Sequence, residues 1–169
     1  RAYWDMWDAG SDIAELHVAL ARRADVMVIA PATATMMARL ALGLAEDMVS
    51  LTALATQAPL IVCPAMDANM FEHPAVTRNL EALMARGVHI VDPGSGYLAC
   101  GWIGKGRLAE PDEVVAAAEQ VLRAQGSSPG APKPLGEGGT LAGRRVLVTA
   151  GPTLEDIDPV RFVGNRSSG

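Results

Sequence analysis

Two side chains in this sequence are suited to moving a proton near neutral pH, and they lie far apart along the chain. His17 falls on the apolar stripe Ile13, Leu16, His17, Leu20, where a neutral imidazole can serve as a general base. A histidine in that setting is more often a satisfied core or edge residue, so spacing alone leaves both roles open. Cys100 lies in the run Gly94 to Arg107, which holds five glycines in fourteen residues. That composition reads as a mobile flap whose thiol can act on a bound substrate as proton donor or nucleophile, the alternative being an inert thiol in a surface loop. The glycine spacing does not fit the GxGxxG pattern of dinucleotide sites. Cys63 closes an apolar run and reads as core. His17, His73 and His89 lack metal-ligand spacing, so no metal site is expected. Near the carboxyl end, Asp158, Arg161, Asn165, Arg166, Ser167 and Ser168 gather an acid, two guanidinium groups, an amide and two hydroxyls. The mixture suits phosphate and carboxylate groups, or equally a solvated loop.

The elements that must position these groups alternate. The stripe containing His17 predicts an amphipathic helix from Ser11, its N-cap, to Arg23. Val26 to Ala30 is a short unbroken apolar run ended by Pro31, the pattern of a strand buried on both faces. Helices are predicted over Met36–Ala45, Met48–Thr56, Pro74–Arg86 and Pro111–Gln125, the last opened by a proline where a missing N–H costs nothing. Leu60–Cys63 and Val88–Val91 read as two further strands. This alternation predicts right-handed crossovers and a parallel sheet, whose ligands bind beyond the carboxyl ends of the strands. Those ends run into Pro31–Thr35, Pro64–Met70 and Asp92–Gly96. Three loops rich in proline and small residues either converge on a pocket or are ordinary strand-to-helix turns. From Gly126 to Gly139, five glycines and three prolines in fourteen residues make a flexible tether. Beyond it, Arg145–Ala150 is a strand and Gly151–Thr153 a sharp turn, a stretch too short to build a core alone.

Composition supports this architecture. The chain has 169 residues, 50% of them hydrophobic but only 4% aromatic, which favours helices on a buried parallel sheet over an all-β sandwich. The net charge is −5 and the basic residues are scattered, which argues against nucleic acid as a partner. The uncharged stretch Met48 to Met66 is interrupted by Ser50, Thr52, Gln57, Pro59 and Pro64, so no membrane span is expected. Two cysteines without a CxxC pair and the lack of a signal peptide make a reducing cytoplasm the expected compartment. Residue 1 is Arg and the chain stops within a polar run, so both ends read as cut.

In order along the chain, these segments resemble one family, the bifunctional phosphopantothenoylcysteine decarboxylase/phosphopantothenate-cysteine ligases of coenzyme A biosynthesis. The resemblance is carried by Leu16–Leu20, Ala24–Val26, Ile29–Ala34, Gly43–Asp47, Pro64–Met66, Leu98–Gly101 with Gly104–Arg107, and Gly151–Thr153 through Asp158–Arg161 to Asn165–Gly169. It implies a Rossmann-like (flavodoxin-like) parallel sheet flanked by helices over residues 1–125, forming an FMN-dependent decarboxylase domain without its first strand and amino-terminal phosphate loop. Residues 126–140 would be a linker and 141–169 the start of the ligase domain. The resemblance further implies His17 as active-site base, Cys100 as proton donor on the flap, and Pro31, Ala32, Thr33 and Thr35 against the flavin. Pro64, Ala65, Met66, Asp67, Asn69 and Ala99 would contact substrate, and Asn165 would act on the acyl-cytidylate. Phosphopantothenoylcysteine is the implied decarboxylation substrate; phosphopantothenate, cysteine, CTP and Mg2+ are implied for ligation, and trimer-based homo-oligomers for assembly.

The implied chemistry is consistent. A cysteinyl carboxylate has no electron sink until its thiol is oxidised to a thioaldehyde through FMN; carbon dioxide can then leave, and the enethiolate is reduced by the reduced flavin and protonated. Two positions depart from the family pattern: Asp67 and Thr35 both stand where asparagine is usual. An ionised Asp67 would repel a substrate carboxylate unless protonated or turned away, and Asn69 is the nearby substitute. Related flavoproteins that decarboxylate peptidyl cysteines, and non-catalytic flavin-binding regulatory subunits, are the alternatives.

Overall fold

The computed structural model describes residues 16–97, 103–125, 141, 143–149, 154–156 and 162–164. Its centre is a four-stranded sheet in which all neighbours run parallel. The strands are β1 (Val26–Ala32), β2 (Leu60–Pro64), β3 (His89–Ile90) and, in this chain's numbering of elements, β6 (Val146–Thr149), in the order β3-β2-β1-β6.

β1 has apolar residues on both faces because both faces are covered. Met27 and Ile29 point into one core with Met37, Ala41, Ala53, Val76 and Leu83, contributed by helices α2 (Ala34–Leu42), α3 (Met48–Ala55) and α5 (Pro74–Ala85). Val26 and Val28 point the other way, to Ile61, Cys63 and the Ala118, Val121 and Leu122 face of α6 (Pro111–Gln125). Each fully buried side chain of this size contributes roughly 1.5–3 kcal/mol by leaving water. The strand expected over Val26–Ala30 extends through Pro31 to Ala32, with a register irregularity between Ile29 and Ala32 and a cis Ala30–Pro31 peptide.

Helix ends follow their capping residues. Thr33 caps α2 by accepting the Met36 N–H at 3.2 Å. α2 stops at Leu42 rather than Ala45 because Gly43 adopts φ 72°, a left-handed C-cap. α3 opens on a capping box between Asp47 and Ser50. α6 spans the predicted residues, with Asp112 and Glu113 in its first turn and Arg123 in its last. α1 (Leu16–Arg23) runs into β1, and its Ala21 carbonyl accepts the Thr56 hydroxyl at 3.0 Å, tying it to the end of α3.

Five elements go beyond the predicted ones. Ala68–Phe71 forms a single turn, α4, and the glycine-rich flap is an antiparallel hairpin of β4 (Gly94–Tyr97) and β5 (Ile103–Arg107). β7 (Leu154–Asp156) pairs with β8 (Phe162–Gly164). β6, which the sequence assigns to the start of a second unit, lies beside β1 in the same sheet, Val26 paired with Val146 and Ile29 with Thr149. Asp25 holds that junction: its carboxylate accepts the Arg145 N–H at 2.7 Å and the guanidinium at 3.2 and 3.3 Å, while its own N–H donates to the Arg145 carbonyl at 2.9 Å. No helix among the described residues is long and apolar enough to cross a membrane.

Candidate active site

At the carboxyl edge of the sheet the three predicted loops are joined to one another. The Ala65 N–H, just past β2, donates to the Ala32 carbonyl at the end of β1 at 3.1 Å. One residue on, the Met66 N–H donates to the Gly106 carbonyl in β5 at 2.9 Å. Lys105 then reaches back to Asp92, beyond β3, at 3.2 Å, and its ammonium stands 5.5 Å from the centre of the Phe71 ring in α4. The loops after β1, β2 and β3 thus meet through backbone hydrogen bonds and one ion pair.

The side chains in this region are small or already engaged. Ala32 and Pro64 are buried and paired across the strand ends. Pro31 and Thr33 are half-buried, whereas Thr35 is exposed in the first turn of α2. The Thr33 hydroxyl is turned to the Met36 amide, so it serves the helix before any ligand. Asp67 caps α4, its carboxylate accepting the Asn69 N–H at 2.9 Å. This turns the charge of Asp67 toward its own helix, and the exposed Asn69 side chain is left at the lip of the loop.

Not every expected residue is joined to these loops among the described residues. His17 is half-buried at the start of the described part of α1, with no hydrogen bond or ion pair to the loops among the described residues. Ala99, Cys100 and Asn165 lie outside the described residues, as does the Ser11 cap. Tyr97 pairs with Ile103, the described residues that flank Cys100 in sequence. Cys63 is buried at the end of β2, and removal from water pushes its thiol up to about 11, so it is a neutral core residue at physiological pH. Among the described residues, no group of three His, Cys, Asp or Glu side chains is placed to hold a metal. Sequence reasoning missed Gly106 and Lys105 as individual contacts. The signal was the glycine at the far end of the flap, but only the fold says which backbone it meets.

A separate cleft of about 600 Å³ lies at the opposite, amino edge, lined by Val18, Arg22, Asp25, Gln57 and Gln125 among others. It receives the carboxyl ends of α1 and α6, whose dipoles disfavour anions, and it contains none of the loop residues above. The carboxyl edge is therefore the stronger site for an anionic ligand, as in other parallel α/β sheets.

A parallel sheet covered on both faces, with its loops linked to one another at the carboxyl edge, defines a flavodoxin-like α/β protein. Family comparison narrows this class: residues 1–123 match the Flavoprotein model, and residues 141–169 match the model of the DNA/pantothenate metabolism flavoprotein C-terminal domain. The chain belongs to the Flavoprotein family. It is 45% identical over 153 residues to the coenzyme A biosynthesis bifunctional protein CoaBC of Bacillus subtilis, covering 90% of this chain and 35% of that protein. It is also 45% identical over 153 residues to a prokaryotic cysteine/cysteine sulfinic acid decarboxylase, covering 90% of this chain and 40% of that one. Among solved structures it resembles a PPC decarboxylase mutant complexed with pantothenoylaminoethenethiol, with a TM-score of 0.67 and 32% identity over 72% of this chain and 70% of that one. The FMN-binding protein AtHal3 aligns with a TM-score of 0.62 and 32% identity over 76% and 71% of the two chains. The chain spans little more than a third of the length of the curated bifunctional relatives it matches.

Proposed function

We propose that residues 1–125 form an FMN-dependent decarboxylase acting on 4'-phosphopantothenoylcysteine, and that residues 141–169, after the 126–140 linker, open a ligase that joins cysteine to 4'-phosphopantothenate with CTP and Mg2+. The observation that carries the first half is the meeting of three strand-end loops, Pro31–Thr35, Pro64–Asn69 and the β4–β5 hairpin, through the Ala65–Ala32 and Met66–Gly106 hydrogen bonds. The match of residues 141–169 to the second family model supports the second half.

The carboxyl edge fits a flat, anionic cofactor. Pro31, Ala32 and Thr33 present little side-chain bulk, Ala32 is fully buried, and the loop feeds the amino end of α2, where partial positive charge accumulates. Bound there, the flavin supplies a two-electron acceptor for the cysteinyl thiol and, once reduced, the matching donor. The chain's own groups do the rest. His17 takes the proton that the thiol loses. The Pro64–Met66 backbone orients the substrate carboxylate, with the Asn69 amide as donor because Asp67 is committed to capping α4. The Cys100 thiol returns a proton to the decarboxylated carbon. Exposed Leu42, Leu44, Leu54 and Met84 support self-association, with a trimer-based assembly as the form in which the site is complete.

The test uses the full protein that contains this chain. It should be yellow as purified, with oxidised-flavin absorption, and should release carbon dioxide from 4'-phosphopantothenoylcysteine. His17→Asn and Cys100→Ser should each lower kcat by about a hundredfold or more, within the range for loss of an acid or base. Turnover that survives both changes would overturn the assignment. The 45% identity to a cysteine/cysteine sulfinic acid decarboxylase favours one second reading, decarboxylation of a smaller or peptidyl cysteine. Release of carbon dioxide from cysteine or a cysteine-terminated peptide, and not from the phosphopantothenoyl substrate, would select it.

A further inference from the structure

We propose that Gly106 is a positioning residue, the joint through which the base of the β4–β5 hairpin is fixed to the loop after β2. Three observations converge on it. The Gly106 carbonyl accepts the Met66 N–H at 2.9 Å. A Cβ added at Gly106 would collide with the Met66 carbonyl oxygen and stand 3.3 and 3.5 Å from the carbonyl carbons of Met66 and Asp67, all of them backbone atoms that cannot swing aside. The preceding residue, Lys105, grips the same region from its other side, pairing with Asp92 at 3.2 Å and standing over Phe71 of α4.

The two glycines of β4 provide the contrast. A Cβ at Gly94 would meet only the Arg107 carbonyl oxygen at 3.9 Å, and one at Gly96 only the Arg107 side chain at 3.9 Å, both ordinary contacts. Gly106 alone of these three has no room for a side chain, because the hairpin and the Met66–Asp67 loop touch backbone to backbone there. Any substituent must push the two apart, and displacements of about 1 Å near a reacting centre cost on the order of a hundredfold in rate.

The activity arm of the test rests on the decarboxylase reading; the exchange arm does not. In the full flavin-loaded protein, Gly106→Ala should speed hydrogen exchange at the Met66 amide at least tenfold while the Ile61, Val62 and Cys63 amides keep their protection. The same variant should lose about a hundredfold in kcat with its flavin absorption retained, whereas in Gly94→Ala and Gly96→Ala, which meet no backbone closer than 3.9 Å, exchange at the Met66 amide should stay within twofold of that in the unaltered protein. Lys105→Met, which removes the ion pair without touching the backbone, should loosen the Met66 amide severalfold at unchanged Tm, and it decides the matter should Gly106→Ala not fold. The joint is refuted by Met66 exchange within twofold of normal in the folded Gly106→Ala protein, or in Lys105→Met where Gly106→Ala does not fold. Equal acceleration at the Met66 amide in Gly94→Ala and Gly96→Ala refutes it too. An unaltered protein that protects Met66 yet releases no carbon dioxide would sink the decarboxylase reading and leave the joint standing.

Discussion

The two cysteines of this chain are separated by their surroundings. Cys63 sits among Val26, Val28 and Ile61 in a fully apolar environment, and burial alone pushes its thiol from about 9 up to about 11. Raising a thiol's pKa on folding contributes stability that is fully present below about pH 9 and is lost as pH climbs toward 11, because the unfolded chain ionises first. Native protein treated with iodoacetamide near pH 8 should therefore show no adduct at Cys63 by mass spectrometry, and a full adduct in urea. An adduct at Cys63 without denaturant would mean that β2 opens. The core place of Cys63 was legible, because it ends an unbroken apolar run before a proline. The cap formed by Asp67 was not: a carboxylate two residues before an amide is a turn signal anywhere in a chain, and only the backbone dihedrals at Asp67 decide that it points inward along α4.

Elements built from apolar runs or marked by proline were readable nearly to the residue, as β1, β2 and α6 demonstrate, because burial and the missing proline N–H leave few alternatives. The β4–β5 hairpin was expected only as a flap, since Gly-Ser-Gly-Tyr and Ile-Gly-Lys-Gly-Arg carry little strand propensity of their own; pairing with each other makes them strands. Caps are the local features that set the helix boundaries. Asp47 opens α3 by accepting the Ser50 N–H at 2.8 Å and also accepts from Arg39 of α2 at 2.7 Å. Asp47→Ala should cost about 1 kcal/mol from the lost cap, lowering Tm by about 2–4 °C, while Asp47→Asn should recover most of that loss. The difference follows from the partly exposed ion pair contributing little next to the cap. Thermal unfolding by circular dichroism separates the two, and an equal loss in both variants would shift the weight to Arg39.

At the scale of the whole molecule, the parallel sheet was legible from the alternation of strands and helices, but the place of β6 was not. Any short apolar strand can lie parallel to β1, and neither hydropathy nor spacing says which one does; the choice is made by Val146 and Leu147 packing into the cores on opposite faces and by Asp25 meeting Arg145. The Arg145 side-chain hydrogen bond, then its backbone N–H, hold the Asp25 carboxyl below its ordinary value. A lowered carboxyl contributes stability above the ordinary pKa near 3.8 and loses it as pH falls through the folded value, so acid should release β6 before it dissolves the β1–β2 pair. Hydrogen exchange at Leu147 and Val148, followed from pH 6 down to 3, should rise ahead of that at Ile61 and Val62, and Asp25→Asn should remove the pH step. Simultaneous loss at all four amides would show that β6 has no separate release. The outward side of β6 pairs with no described strand, and Val148 on it is 55% exposed. Among the described residues that border is an unsealed seam: its row of amides and carbonyls offers a ready template to the next extended segment that meets it, and where such a border stays bare, crowding and concentration, rather than heat, are the conditions under which a sheet recruits a stranger.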